Sequence, residues 1–275
     1  MPTRDLTFAI VGSGGDGVIT VGDMIAQAGA AEGLHVMKVE AYGPQIRGGE
    51  SSCTVRLSAD PIFAQGDLVQ VLVVFNWADF GQFRGEILAA ENAVVLYEAT
   101  DETPREEIDL GPVSEVRWVP VPFIELAKEA AGTTLAKNIV TLGLLGELFN
   151  LPKDAMERAI TQKFSKKKEA VLEANLKGFE AGREYASKIE EEVAGKRLQY
   201  TPSEPMLLMS GNELSAVAAL HAGCRFFAGY PITPSSEVLH LLSELMPKVG
   251  GYLVQTEDEL SAIGAVIGGS FAGVK

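Results

Sequence analysis

Two short runs limit what this chain can fold into: DLVQVLVVF at residues 67–75 and NAVVLYEA at residues 92–99. Each is almost wholly apolar or β-branched, without the alternation that a half-exposed strand shows. Strands read this way when both faces are covered, so the runs predict parallel strands inside an α/β layer structure. Upstream, LTFAIVG (6–12) is a third short apolar run, and it opens directly into GSGGDG (12–17). Val18, Val21, Ile25 and Ala28 then recur at helical spacing. HVMKVEAYG and SSCTVRLS read as further strands, and VRWVPVPF as another whose prolines push it to a sheet edge.

From Ile124 the pattern turns helical, through NIVTLGLLGELFN and PKDAMERAITQKF to one long polar helix ending in KIEEEV at residue 193. AGKRLQYTPSEP follows with no periodicity. The organisation predicted is a first domain over residues 1–195, a linker over 196–205 and a second domain over 206–275. In the second, βα alternation resumes: helix NELSAVAALHAG, strand CRFFAGY, helix PSSEVLHLLSELM, strand YLVQ, then a last helix. A two-stranded parallel sheet buries too little to stand alone, so residues 206–275 are expected to be an incomplete domain, part of a longer polypeptide.

Charge narrows the partners. A formal net charge of −14 and a pI near 4.7 argue against nucleic-acid or anionic-membrane surfaces, which need clustered Lys and Arg. The basic run Lys166–Lys168 is followed at once by glutamate and reads as a solvated helix face. No apolar run approaches the ~20 residues of a membrane span, and FAIVG is too short for a secretory signal, so a cytoplasmic protein is expected. Cys53 and Cys224 lack CxxC spacing, and His35, His221 and His240 lack metal-ligand spacing. No metal or cluster site is expected from this chain alone.

Three places could carry chemistry. GSGGDG fits G-x-G-x-x-G between a strand and a helix, where Gly12, Gly14, Gly15 and Gly17 would let backbone N–H groups face an anion. With Glu40 after the next strand, a bound nicotinamide dinucleotide is one reading; another phosphate-bearing ligand, or a tight turn with no ligand, are the others. The loop YGPQIRGGES holds Arg47 between two glycine turns, for a phosphate, a carboxylate, a partner chain or merely solvent. In GYPITPSSE, Thr233 is placed to cap a helix begun by Pro234, forming with free N–H groups an anion site sized for a carboxylate. After YLVQ, Thr256 and Glu259 predict a capping box with Glu257 just inside it.

Together these stretches resemble a known family. GYPITPSSE is similar to the Y-P-I-T-P signature of the 2-oxoacid:ferredoxin oxidoreductases, and VQTEDELSAIGAVIGGSFAG continues like that family's alpha domain. GSGGDGVITVGDMIAQA and YGPQIRGGESSCTVRLS resemble its gamma domain, and the gamma-then-alpha order is similar to the large subunit of the 2-oxoglutarate type. The resemblance implies a gamma domain with a mainly parallel sheet flanked by helices, then the start of a thiamine-diphosphate-enzyme-like α/β domain. It implies a subunit of an enzyme that oxidatively decarboxylates 2-oxoglutarate, forming succinyl-CoA from coenzyme A and reducing ferredoxin. Pyruvate or another 2-oxoacid is an alternative substrate; an NAD(P)-binding oxidoreductase and a non-catalytic docking subunit are alternatives in kind. Glu257 would contact the aminopyrimidine of thiamine diphosphate, Thr233 with Pro231 and Ile232 would bind the substrate, and coenzyme A would lie near the glycine turn and Arg47. Magnesium and a [4Fe–4S] cluster would be held by a partner beta subunit, in a dimer of heterodimers. The family continues past the position where this sequence stops, so the 275-residue chain alone is expected to be inactive.

Overall fold

The computed structural model describes residues 3–43, 49–193 and 195–275. The chain divides into two compact units, Met1–Leu208 and Met209–Lys275. Residues 196–205, read as a linker, run along the first unit: Leu198 N–H donates to Phe149 carbonyl, Gln199 to Thr3 and Ser203 to Glu32.

The first unit is built on six strands: β1 (Asp5–Ser13), β2 (His35–Tyr42), β3 (Glu50–Ser58), β4 (Leu68–Val74), β5 (Leu88–Glu98) and β6 (Val116–Val121). Their order across the sheet is β2-β3-β1-β4-β5-β6. The continuous apolar runs lie where their composition puts them, as β4 and β5, parallel to each other and to β1 and β6. The proline-bearing β6 is an edge strand, where Pro120 removes no bond that a further strand would need.

Strand direction departs from simple βα alternation at β2 and β3. They pair antiparallel with each other, and β3 pairs antiparallel with β1, so β3 lies between β2 and β1. That order corrects the dinucleotide reading. The doubly wound crevice needs a parallel second strand directly beside the first, with its acid at the carboxyl end. Glu40 instead lies on β2, one strand removed, and is hydrogen-bonded by Lys38 and Tyr42. Burial works against its ionisation, but those two hydrogen bonds prevail and hold the carboxyl below the usual range.

Helices cover one face of this sheet: α1 (Val18–Ala31), α3 (Phe123–Ala131), α4 (Lys137–Phe149), α5 (Lys153–Phe164) and α6 (Glu169–Val193). Leu6, Phe8 and Ile10 of β1 face them, with Phe8 edge-on to Phe149. The opposite face carries a smaller core, in which Ala9, Val11 and Leu72 lie under the short helix α2 (Trp77–Phe80). Thus α4, between sheet and α6, is buried almost all round, while the polar sequence of α6 buries one stripe, Gly178, Phe179, Gly182, Ala186 and Ile189. Cys53 lies wholly inside this core, and burial pushes its thiol up to about 12. A thiol that resists ionisation is a packing residue, not a nucleophile.

The second unit has two parallel strands, β7 (Phe226–Gly229) and β8 (Tyr252–Gln255), with α7 (Gly211–His221), α8 (Ser236–Leu245) and α9 (Glu259–Phe271). Its buried centre is small, Ala216, Leu242 and Met246. No residue of the strongly apolar α9 is buried, and Leu260 and Phe271 are 82% and 90% exposed.

Candidate functional site

The two parallel strands of the second unit place the candidate residues on one edge. Their register pairs Gly229 with Gln255, so both chains leave the sheet at the same level. Strands so paired lie ~4.8 Å apart, so Tyr230 and Thr256 leave the sheet side by side. Thr256 N–H donates to Gly229 carbonyl at 2.9 Å, joining the two exits. Pro231, Ile232, Thr233 and Glu257 are all exposed along this edge. The carboxyl edge of parallel strands is where open α/β sheets receive ligands.

Both helix starts differ from the predicted ones. Thr233 does not cap α8; residues 233–235 form a turn, and the helix begins at Ser236 after Ser235. Ser235 Oγ and Ser236 N–H both donate to Ile232 carbonyl, at 2.9 and 3.0 Å. Val238 N–H donates to Ser235 carbonyl. The turn therefore consumes the Ser236 N–H that the predicted anion site needed, and the Thr233 hydroxyl, on the turn's first residue, is unengaged by any described residue. At the second exit the cap is Asp258, accepting from Ser261 N–H at 2.6 Å, in place of the Thr256–Glu259 box. The Thr256 hydroxyl donates to Asp258 carbonyl instead. Aspartate outcompetes threonine as a cap, and when it takes that task Glu257 is left just outside the helix with no described partner.

A residue that the motifs did not single out sits beneath the first turn. Asn212 Nδ2 donates to Pro234 carbonyl at 3.1 Å and to Glu237 Oε2 at 2.9 Å. It lies in the first turn of α7, whose start is fixed by reciprocal bonds between Ser210 and Glu213. The sequence signal for that start is S-x-x-E at 210–213; nothing local in it points to Pro234, more than twenty residues on.

In the first unit the glycine turn is occupied by its own aspartate. Asp16 Oδ2 accepts from Ser13 N–H at 3.1 Å, and its other oxygen pairs with Lys137 at 2.8 Å. Ser13 Oγ donates to Asp79 at 2.6 Å, and Gly14 N–H to Gly49 carbonyl at 2.6 Å. A Cβ on Gly12 would crowd the end of the Asp16 side chain and the Phe75 ring, at 2.9 and 3.0 Å. Gly17, at φ +78°, lies hard against the Asn138 amide, while Gly15 faces open space. Among the described residues the turn is thus engaged by Asp16 and by the Gly49 carbonyl, with the Lys137 ammonium beside it. Arg47 lies outside the described residues.

Glu257 is an exposed carboxylate between β8 and α9, chemically able to meet a heterocyclic ring nitrogen. Cys53 is in the first core and Cys224 precedes β7, two thiols where a four-iron cluster takes four, so the chain does not fit a cluster of its own. Among the described residues no three His, Cys, Asp or Glu side chains group as metal ligands. Among the described residues no helix is long and apolar enough to cross a membrane.

Residues 7–185 match the family model described as pyruvate ferredoxin/flavodoxin oxidoreductase. Residues 217–275 match that described as pyruvate flavodoxin/ferredoxin oxidoreductase, thiamine diphosphate-binding. The chain is 36% identical over 188 residues to the ketoisovalerate oxidoreductase subunit VorA of Methanothermobacter marburgensis, covering 67% of this chain and 37% of that protein. It is 59% identical over 68 residues to the 2-oxoglutarate synthase subunit KorA of Archaeoglobus fulgidus, covering 25% of this chain and 20% of that one. The chain therefore spans well under half the length of these relatives. A solved 2-oxoglutarate:ferredoxin oxidoreductase from Magnetococcus marinus, with 2-oxoglutarate, coenzyme A and succinyl-CoA bound, superposes with a TM-score of 0.81 at 33% identity. That match covers 99% of this chain and 47% of the other.

Proposed function

Since the chain belongs to the pyruvate ferredoxin/flavodoxin oxidoreductase family, with gamma-type and alpha-type parts in one polypeptide, we propose that it is a subunit of an enzyme oxidising 2-oxoglutarate. The reaction is decarboxylation with transfer of the succinyl group to coenzyme A and of two electrons to ferredoxin. The observation that supports the reading is the shared exit of β7 and β8, from which the Thr233 turn and Glu257 both follow, within the segment matching a thiamine-diphosphate-binding model.

Bound thiamine diphosphate would supply the electron sink for loss of carbon dioxide. Toward it, Glu257 would hold a proton at the aminopyrimidine nitrogen. The Thr233 hydroxyl would donate to the substrate carboxylate, with Pro231 and Ile232 shaping the wall beside it. Coenzyme A belongs in this proposal to the gamma-type part; Gly12, Gly14, Gly15 and Gly17 reach it only if Asp16 yields its place, with Arg47 as the counter-charge. The diphosphate, its magnesium and the cluster fall to a beta subunit, in a dimer of heterodimers that ferredoxin meets.

The reading is tested on the native complex, isolated from its own cells through a tag on this chain. Viologen reduction driven by 2-oxoglutarate and dependent on coenzyme A is the expected result; none with any 2-oxoacid would refute it. The similarity of the first unit to a ketoisovalerate subunit favours a second reading, the same chemistry on a branched-chain 2-oxoacid, with pyruvate a further candidate. Rates with the three substrates separate these. Thr233→Ala removes one hydrogen bond to a charged group and is expected to raise the 2-oxoacid KM roughly 10–100-fold.

A chain that works in an assembly should carry surface that water alone serves badly. Exposed Leu260, Ile263, Ile267 and Phe271 of α9, with Tyr252 on β8, make such a surface. The isolated chain is expected to bind a hydrophobic-surface dye and to self-associate, and the double change Ile263→Lys, Ile267→Lys to suppress both. Sedimentation and dye fluorescence check this; a monomeric wild-type chain without dye binding would contradict it.

A further inference from the structure

We propose that Asn212 is a positioning residue for 2-oxoacid binding, holding the Tyr230–Ser235 turn through the Pro234 carbonyl; this rests on the reading of that turn as the substrate-carboxylate site. Between the end of β7 and the start of α8 the chain has neither ladder nor helical bonds to fix it. Its internal bonds, from Ser235 and Ser236 to Ile232, set its local shape but not its place. Among the described residues, Asn212 is the one side chain of another element that bonds it. Each amide hydrogen is committed, one to Pro234 carbonyl and one to Glu237. Both acceptors are oxygens that lack hydrogen, so only the nitrogen can face them, and the amide orientation is fixed.

Neither end of this clamp is free to drift. The α7 start is locked by the Ser210–Glu213 box, and Glu237 belongs to the first turn of α8. Thr233 is directly joined to the residue whose carbonyl is held. Asn212 touches neither substrate nor cofactor in this arrangement; it sets where the Thr233 hydroxyl stands. A displaced Thr233 hydroxyl loses its bond to the substrate carboxylate, a loss read in the 2-oxoacid KM.

The isosteric change Asn212→Asp is the sharpest test, because it replaces two donated bonds by a carboxylate facing a carbonyl and a second carboxylate. In the tag-isolated complex, Asn212→Asp and Asn212→Ala are both expected to raise the 2-oxoacid KM ~10-fold near pH 8, the loss of about one hydrogen bond. kcat and the coenzyme A KM should stay close to wild type. Glu237→Gln, which keeps an amide oxygen as acceptor, should stay near wild type. A wild-type 2-oxoacid KM in Asn212→Asp near pH 8 would overturn the assignment. So would a uniform loss of kcat and of both KM values together with a lowered Tm, the mark of a general folding role. If the wild-type complex reduces no acceptor with any 2-oxoacid, what fails is the functional reading beneath it.

Discussion

Glu257→Gln in the assembled enzyme is expected to lower kcat on the order of 10²–10⁴-fold, the span that a positioned proton-handling group supplies. The 2-oxoacid KM should move little, since Glu257 leaves substrate binding to the other strand exit. Glutamine keeps the length of the side chain and an acceptor oxygen but cannot hold the proton. What makes the prediction specific is the division of tasks around it. Asp258 caps α9 through Ser261 N–H, and that hydrogen bond holds its carboxyl below the usual range. Glu257 is left exposed with no described partner. Asp258→Asn, which keeps an acceptor for the cap, is therefore the control and should retain most turnover. Stopped-flow viologen reduction at saturating 2-oxoacid makes the measurement. Turnover of Glu257→Gln within a few-fold of wild type would remove Glu257 from proton transfer and leave it a surface carboxylate.

The contrast between Glu257 and Asp258 also shows where sequence patterns stop being informative. A run of oxygen-bearing residues, Thr256, Glu257, Asp258 and Glu259, offers several possible caps, and only the backbone decides among them. The strand runs were legible because burial on both faces leaves a compositional mark that no surface element shares. Strand direction leaves none: β2 and β3 read as ordinary strands, and their antiparallel pairing, which removes the dinucleotide crevice, depends on partners and not on composition. The glycine turn was visible, and so was Asp16 within it. That the aspartate would fill the turn needed Lys137, over a hundred residues away. Asn212 stayed hidden for the same reason, since its worth lies in a carbonyl that any residue could have supplied.

Long-range pairing is most demanding where two helices touch through glycines. A Cβ on Gly182 of α6 would overlap the Val140 carbonyl oxygen and lie 2.9 Å from Leu144 N; a Cβ on Gly143 of α4 would overlap the Phe179 carbonyl oxygen. These neighbours are backbone atoms inside helices, so no rotamer change relieves the overlap and the helices must separate. Separation would loosen Phe179 and Ile139, both buried in the main core. Gly182→Ala is therefore expected to destabilise the first unit by at least about 3 kcal/mol, the upper part of the usual overpacking cost. That corresponds to a fall in Tm of roughly 6–12 °C for a unit of this size. Gly178, one turn earlier on the same helix, gives the comparison: its Cβ would meet Ala136 and Val140 side chains at 3.7 Å, ordinary contact distance. Gly178→Ala should be neutral, or stabilising by up to ~1 kcal/mol because alanine favours the helix. Calorimetry on the three proteins reads the difference directly. Equal melting temperatures for the two variants would mean that α4 and α6 do not pack through their backbones, and the buried face of the longest helix would have to be redrawn.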